Sequence, residues 1–128
     1  MSEAVSYVAP GQHQTFRPTS GVVFHVLHNG PLYQAVLHQV DPATRYHCAP
    51  HDGEELRFVV SGEVIFEIAG KDVHAVAGGT VRHSSSVPHG FRTEGRPATF
   101  LTFALSRGYD VAKLFKGVGA DGAGVNER

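Results

Sequence analysis

Two stretches of the sequence decide its interpretation: YHCAPHDGEELRFVVSG at residues 46–62 and GTVRHSSSVPHGF at residues 79–91. In the first, His47, His51 and Glu55 are four residues apart, and residues separated by an even number share one face of an extended segment. In the second, the turn at Pro88 leads His89 into a strand. Imidazole and carboxylate together suit one divalent transition metal ion, Fe, Ni, Mn, Co or Zn. The alternative for each histidine is a hydrogen-bonded ring on a sheet face, and for Glu55 a solvated carboxylate.

The chain around these stretches alternates between short strands and turns, and 3.6-residue periodicity is weak. We predict strands at residues 22–28, 32–40, 56–60, 63–68, 73–77, 80–83, 90–93 and 98–105. Ser61 and Gly62 predict a tight hairpin turn between two of these strands, and residues 43–53 a loop. About nine short strands in all favour an all-β sandwich or closed barrel, with no helix longer than about two turns.

Composition is typical of a soluble globular protein of one domain. The 128 residues are 41% hydrophobic and 18% charged, and the net charge of −1 favours neither nucleic acid nor an anionic membrane as a partner. No apolar run approaches the roughly 20 residues that span a bilayer, and we expect no signal peptide. Cys48 is the only cysteine, which fits a cytoplasmic protein. We expect one domain over residues 1–116, with helical turns near 109–116 and a disordered tail at 117–128.

Together the two stretches resemble the two motifs of the cupin superfamily. The first cupin motif has two histidines one residue apart, then a glutamate, then a hydrophobic strand that ends in glycine, and its second half matches residues 51–62. The second motif runs from a glycine through a short strand to proline and histidine, as residues 79–91 do. The resemblance covers about residues 20–106. It implies a double-stranded β-helix, a jelly-roll-like barrel, whose metal ligands include His51, Glu55 and His89.

The sequence departs from the cupin pattern at the first histidine of the motif. Ala49 stands at that place, and His47 lies two residues earlier. Because Pro50 makes the segment irregular, a β-bulge could bring His47 into the metal site as a fourth ligand. The alternative is that His47 faces solvent and the site has three protein ligands. His83 could be an additional pocket residue, although a position on a surface loop is favoured.

Strand parity makes Arg57 a candidate for substrate binding. If Glu55 points into the barrel, Arg57 and Val59 do so as well. An arginine in the cavity would favour a carboxylate or enolate through a charge-assisted bidentate contact. The alternative is an arginine that pairs with an acidic neighbour such as Glu67, or that reaches solvent.

Several functions are compatible with this resemblance. Similar cupins include quercetinase-like dioxygenases, sugar and keto-acid isomerases, polyketide cyclases, and sensor domains of transcriptional regulators. We expect a metal-dependent enzyme that acts on a small organic molecule, with a dioxygenase favoured. The alternatives are a non-catalytic cupin that binds a small ligand, and a barrel without metal. The stretch HDGEEL resembles the sensors, but the sequence has no helix-turn-helix segment, so we do not expect a full regulator.

We also expect a homodimer. Residues 56–60 and 100–105 carry apolar side chains on both strand faces, which is more than one barrel interior can bury. The alternative is that residues 5–16 cover the outer face.

Overall fold

The computed structural model describes residues 4–106, which form an antiparallel β-barrel. Its strands are β1 (Gln14–Thr19), β2 (Val22–Asn29), β3 (Tyr33–Val40), β4 (Arg45–Cys48), β5 (Gly53–Ile68), β6 (Lys71–Val76), β7 (Thr80–Ser84), β8 (His89–Arg92) and β9 (Ala98–Ser106). The described residues contain no helix, and hence none that is long and apolar enough to cross a membrane. The all-β prediction is confirmed. The expected helical turns at 109–116 and the tail at 117–128 lie outside the described residues.

Strand β5 organises the barrel because its two halves pair with different neighbours. The first half lies between β9 and β7, and the second half lies between β6 and β8. The strand order is therefore β1-β2-β3-β9-β5-β8-β4, with β6 and β7 also paired to β5. Inner-face residues of β5 thus contact both parts of the barrel.

The predicted hairpin at Ser61 and Gly62 is wrong, because the chain continues through both residues as one strand. A register shift between Val59 and Ser61 marks a bulge there. Gly62 has a φ of +79°, and a Cβ at this position would overlap the carbonyl oxygen of Pro97. The glycine therefore bends the strand and admits the neighbouring backbone without reversing the chain.

Strand β4 was missed, since its residues fall in the predicted loop at 43–53. The strand is only four residues long and pairs with β8 in continuous register, from Arg45 opposite Arg92 to Cys48 opposite His89. Such a short strand carries too little alternation to be recognised before its partner is known.

The inner face of the barrel has an apolar part and a polar part. The apolar part is made by buried aromatic and β-branched residues, among them Val22, Phe24, Val26, Val40, Val59, Val64, Phe66, Phe91 and Phe100. The polar part is made by Gln34, His38, Glu55, Arg57, His83, His89 and Thr102, all of which are buried. Hydrophobic packing thus fixes the strands, and the polar part forms the candidate site.

The outer face of β5 and β9 remains apolar and exposed. Leu56, Phe58, Phe103 and Leu105 are 38–58% exposed on it. Strand β1 pairs with β2 at the edge of the sheet and leaves this face open, so the alternative of N-terminal cover does not apply to the described residues. The homodimer stays a prediction.

Replacing Gly62 with alanine should destabilise the barrel far more than the same change at Gly70. Both glycines have positive φ, +79° and +81°, but a Cβ at Gly70 meets no atom within 4 Å. Backbone strain is therefore common to both variants, and the overlap with Pro97 occurs only in Gly62→Ala. We expect Gly62→Ala to lower the free energy of unfolding by about 2 kcal/mol more than Gly70→Ala in chemical denaturation. Equal losses would contradict the account of the bend.

Candidate metal centre

Three of the four expected ligands converge in the polar part of the barrel. Glu55 lies on β5, His89 begins β8, and His51 lies between β4 and β5. The backbone N–H of His51 donates to the carbonyl of Ser85, which holds this irregular segment against the barrel. One potential ligand atom from each of His51, Glu55 and His89 lies within 4.8 Å of the other two.

The carboxylate of Glu55 stands between the two imidazoles. Its Oε2 is 3.1 Å from His51 Nε2 and 3.2 Å from His89 Nε2. The opposite ring nitrogens are held by the backbone, because His89 Nδ1 lies 2.8 Å from the carbonyl of Val87 and His51 Nδ1 lies 3.2 Å from that of Asp52. A carbonyl can only accept, so each Nδ1–H donates and each Nε2 is left to face Glu55. This donor set fits a divalent transition metal ion.

Glu55 is ionised although it is buried. Burial alone would raise its pKa, but Arg57 Nη2 donates to Oε1 at 2.7 Å. Arg57 and the adjacent imidazoles of His51 and His89 together hold the pKa of Glu55 well below its usual range. The centre therefore contains a permanent carboxylate in a water-poor environment.

His89 is charged when only the protein side chains surround it. Burial acts to lower its pKa, but contacts with Cys48 and Glu55 outweigh burial and raise the pKa to about 10. A metal ion bound at the same nitrogen would have to replace that proton.

Arg57 points into the barrel, as its strand parity predicts, and is 2% exposed. Besides Glu55, its guanidinium donates to Thr102 Oγ1 at 3.1 Å and to His83 Nε2 at 3.2 Å. It also lies 5.3 Å from the ring centroid of Phe66. The structure therefore gives Arg57 internal partners, and the acidic partner is Glu55 rather than Glu67.

His47 does not join the other three residues. Strand β4 alternates regularly, so Tyr46 and Cys48 face the interior while His47 is exposed on the outside. No bulge interrupts the pairing of β4 with β8. The expectation that a bulge would carry His47 into the site therefore has to be corrected. Cys48 and Ala49 line the cavity where a further ligand was expected.

His83 is buried, at 6% exposure, so its favoured placement on a surface loop is wrong. Its Nδ1 is 2.8 Å from the carbonyl of Ser84, while Nε2 accepts from Arg57. Burial and the charge of Arg57 lower the pKa of His83. Its neutral ring thus supports Arg57, and its Nε2 is not available to a metal.

Sequence reasoning did not select Gln34 and His38 as site residues. Both lie on the inner face of β3 and line the same cavity as His51, Glu55 and His89. Their even spacing places them on one face of the strand. The alternation in residues 32–40 was the signal that could have found them. The cavity has a volume of about 30 Å³, which is room for one or two water molecules.

Comparisons with known proteins agree with this architecture. The family model of the cupin domain matches residues 36–104. The HTH-type transcriptional regulator PuuR of Escherichia coli (strain K12) is 31% identical over 77 residues, which are 57% of this chain and 42% of the regulator. The chain thus spans less than half the length of the curated relatives it matches.

Solved structures show the same fold at low sequence identity. The cupin domain of an XRE family transcriptional regulator from Enterobacter cloacae has a TM-score of 0.65 and 21% identity, covering 69% of this chain and 99% of that one. Hydroxypropylphosphonic acid epoxidase from S. wedmorenis has a TM-score of 0.72 and 17% identity, covering 82% of this chain and 61% of that one. At these identities the likeness concerns the fold alone.

Replacing His89 with alanine should remove metal binding, whereas replacing His47 should not. Loss of one of three ligands should weaken the affinity by at least about 100-fold, since loss of a mere supporting hydrogen bond already costs 10–100-fold. Titration calorimetry with Co²⁺, followed by elemental analysis after dialysis, would measure both variants. Thermal unfolding would verify that each is folded. Wild-type affinity in His89→Ala, or a comparable loss in His47→Ala, would contradict this ligand set.

Proposed function

The chain belongs to the cupin family, and on that basis we propose that it is a metal-dependent enzyme acting on a small organic molecule, with dioxygenase chemistry favoured. The observation that carries this proposal is the convergence of His51, Glu55 and His89 on one cavity. Two histidines and one carboxylate that leave further positions open are the ligand set typical of non-haem Fe(II) oxygenases.

The residues around the centre have separable tasks in this proposal. His51 Nε2, His89 Nε2 and Glu55 Oε2 would hold the metal, and their backbone and Arg57 contacts keep these three atoms oriented. When bound, the metal would supply Lewis acidity toward a substrate oxygen and the means of activating dioxygen. The apolar wall made by Phe24, Val36 and Ala104 limits water in the cavity.

Charge favours a substrate that has an ionisable oxygen atom. The charges of Glu55 and Arg57 cancel, so a divalent ion would leave the cavity positive in total. An enolic or phenolic oxygen can become an anion next to such a centre. A carboxylate is a weaker candidate than the sequence implied, since Arg57 already donates to three groups of the protein.

A sensor cupin that binds a small ligand without converting it is the second candidate. It is favoured by the 31% identity to the PuuR regulator over 77 residues. In either case we propose that the exposed outer face of β5 and β9 is the contact of a homodimer.

Oxygen uptake separates the enzyme from the sensor. We expect Fe(II)-loaded wild-type protein to consume dioxygen with a phenolic or β-diketone substrate in proportion to substrate loss. His89→Ala should show no uptake above background, and His47→Ala should match the wild type. If the same compounds bind saturably to the loaded protein but none is consumed, the enzyme proposal fails in favour of the sensor.

A further inference from the structure

We propose that Gln34 and His38 form a subsite that recognises an uncharged, hydroxyl-bearing part of the ligand. The inference rests on the proposed function in that a small organic ligand enters this cavity. It specifies the class as neutral hydroxylated molecules, such as hydroxy ketones, rather than carboxylates.

The register of the sheet places this subsite across from the metal centre. Gln34 pairs with Ala104, and Ala104 pairs with Glu55, so the three residues form one row across β3, β9 and β5. Neighbouring strands lie about 4.8 Å apart, which separates the backbones of Gln34 and Glu55 by about 10 Å. Because the middle residue of the row is alanine, the space between the two longer side chains is left to the cavity.

Gln34 offers a buried acceptor that has no partner among the described residues. The side chain is 1% exposed, and its Nε2 donates to the carbonyl of Gly30 at 2.6 Å. Since that carbonyl can only accept, the orientation of the amide is fixed. Oε1 is left without a hydrogen bond from residues 4–106, although Gln34 lines the cavity. A hydroxyl donor on a ligand would satisfy it.

His38 offers one donor and one acceptor in the same wall. It is 6% exposed, and within residues 4–106 neither ring nitrogen has a hydrogen-bond partner. Its ring stacks on Phe100, with the ring centroids 4.5 Å apart, and lies nearly perpendicular to the ring of Phe24, with the centroids 4.4 Å apart. These aromatic neighbours are carbon rings that offer its nitrogens no polar atom. Burial and the nearby Arg57 keep its pKa well below the usual range, against the opposing effect of Glu55. The ring is therefore neutral.

The unpaired polar atoms of Gln34 and His38 match ligand hydroxyls better than a ligand carboxylate. Gln34 Oε1 and one nitrogen of His38 can only accept, while the other nitrogen of His38 donates. A carboxylate would meet two repelling acceptors and a single donor, whereas a hydroxyl both donates and accepts. Buried polar atoms rarely remain unpaired, so either ligand hydroxyls or ordered waters complete this wall. The 30 Å³ of space limits the inserted part to about one hydroxyl-bearing carbon.

The test compares two probes of equal size, hydroxyacetone and propionate, by NMR titration of the Zn(II)-loaded protein. The measured quantity is the dissociation constant of propionate divided by the dissociation constant of hydroxyacetone. A larger ratio means a stronger preference of the subsite for the neutral hydroxyl compound. We expect Gln34→Met and His38→Phe each to lower this ratio about fivefold or more. Gln39→Met is the matched control, because Gln39 lies on the exposed face of the same strand, and it should leave the ratio within about twofold.

Elemental analysis of each sample separates failure of the subsite from failure of the metal centre. If zinc does not bind, the metal proposal fails, and the same ratio is measured on the metal-free protein. The titration extends to about 100 mM hydroxyacetone, a range that covers the affinities of weakly binding fragments. If zinc binds but the resonances of Gln34 and His38 show no saturable shifts in this range, ordered water alone completes the wall. That result would overturn the inference. Equal ratios in the wild type, Gln34→Met and His38→Phe would overturn it as well.

Discussion

The buried charge of Arg57 is the constraint on which the polar part of the barrel depends. A guanidinium that is 2% exposed requires an ionised partner, and Glu55 supplies one through Oε1. The same carboxylate has a second oxygen, which faces His51 and His89. Removing Glu55 would leave a buried charge uncompensated, at a cost of about 3–5 kcal/mol. Structural pairing and candidate metal binding therefore share one side chain.

This arrangement is possible because β5 is one continuous strand. Its alternation puts Glu55, Arg57 and Val59 on the inner face, in sequence from the polar to the apolar part of the barrel. The bend at Gly62 then lets the second half of β5 pair with β8, which brings Ile68 opposite His89. The strand thus carries one ligand and positions another, while Val59, Val64 and Phe66 anchor it in the core.

The sequence predicted the features that depend on local period and spacing. The all-β fold follows from the alternation and turns of many short segments, and the inward direction of Arg57 follows from alternation along β5. His51 lies outside β5, so its place beside Glu55 agrees with the spacing but is fixed by the irregular segment before the strand. The errors concern partners that lie far away in the chain. A hairpin at Ser61–Gly62 and a bend there have the same local signal, and only the approach of Pro97 decides between them. For His47 the sequence left two directions open, into the site through a bulge or toward solvent, because β4, whose register with β8 sets that direction, was not recognised.

The cupin barrel hosts many functions, so the fold limits the chemistry less than the cavity does.

The most direct test of the account is a crystal structure of the metal-loaded protein, measured with anomalous scattering at the absorption edge of the metal. The account predicts one anomalous peak per chain, about 2.0–2.2 Å from His51 Nε2, His89 Nε2 and Glu55 Oε2. A loaded crystal with no peak at these atoms, or with its main peak beside the exposed His47, would contradict it.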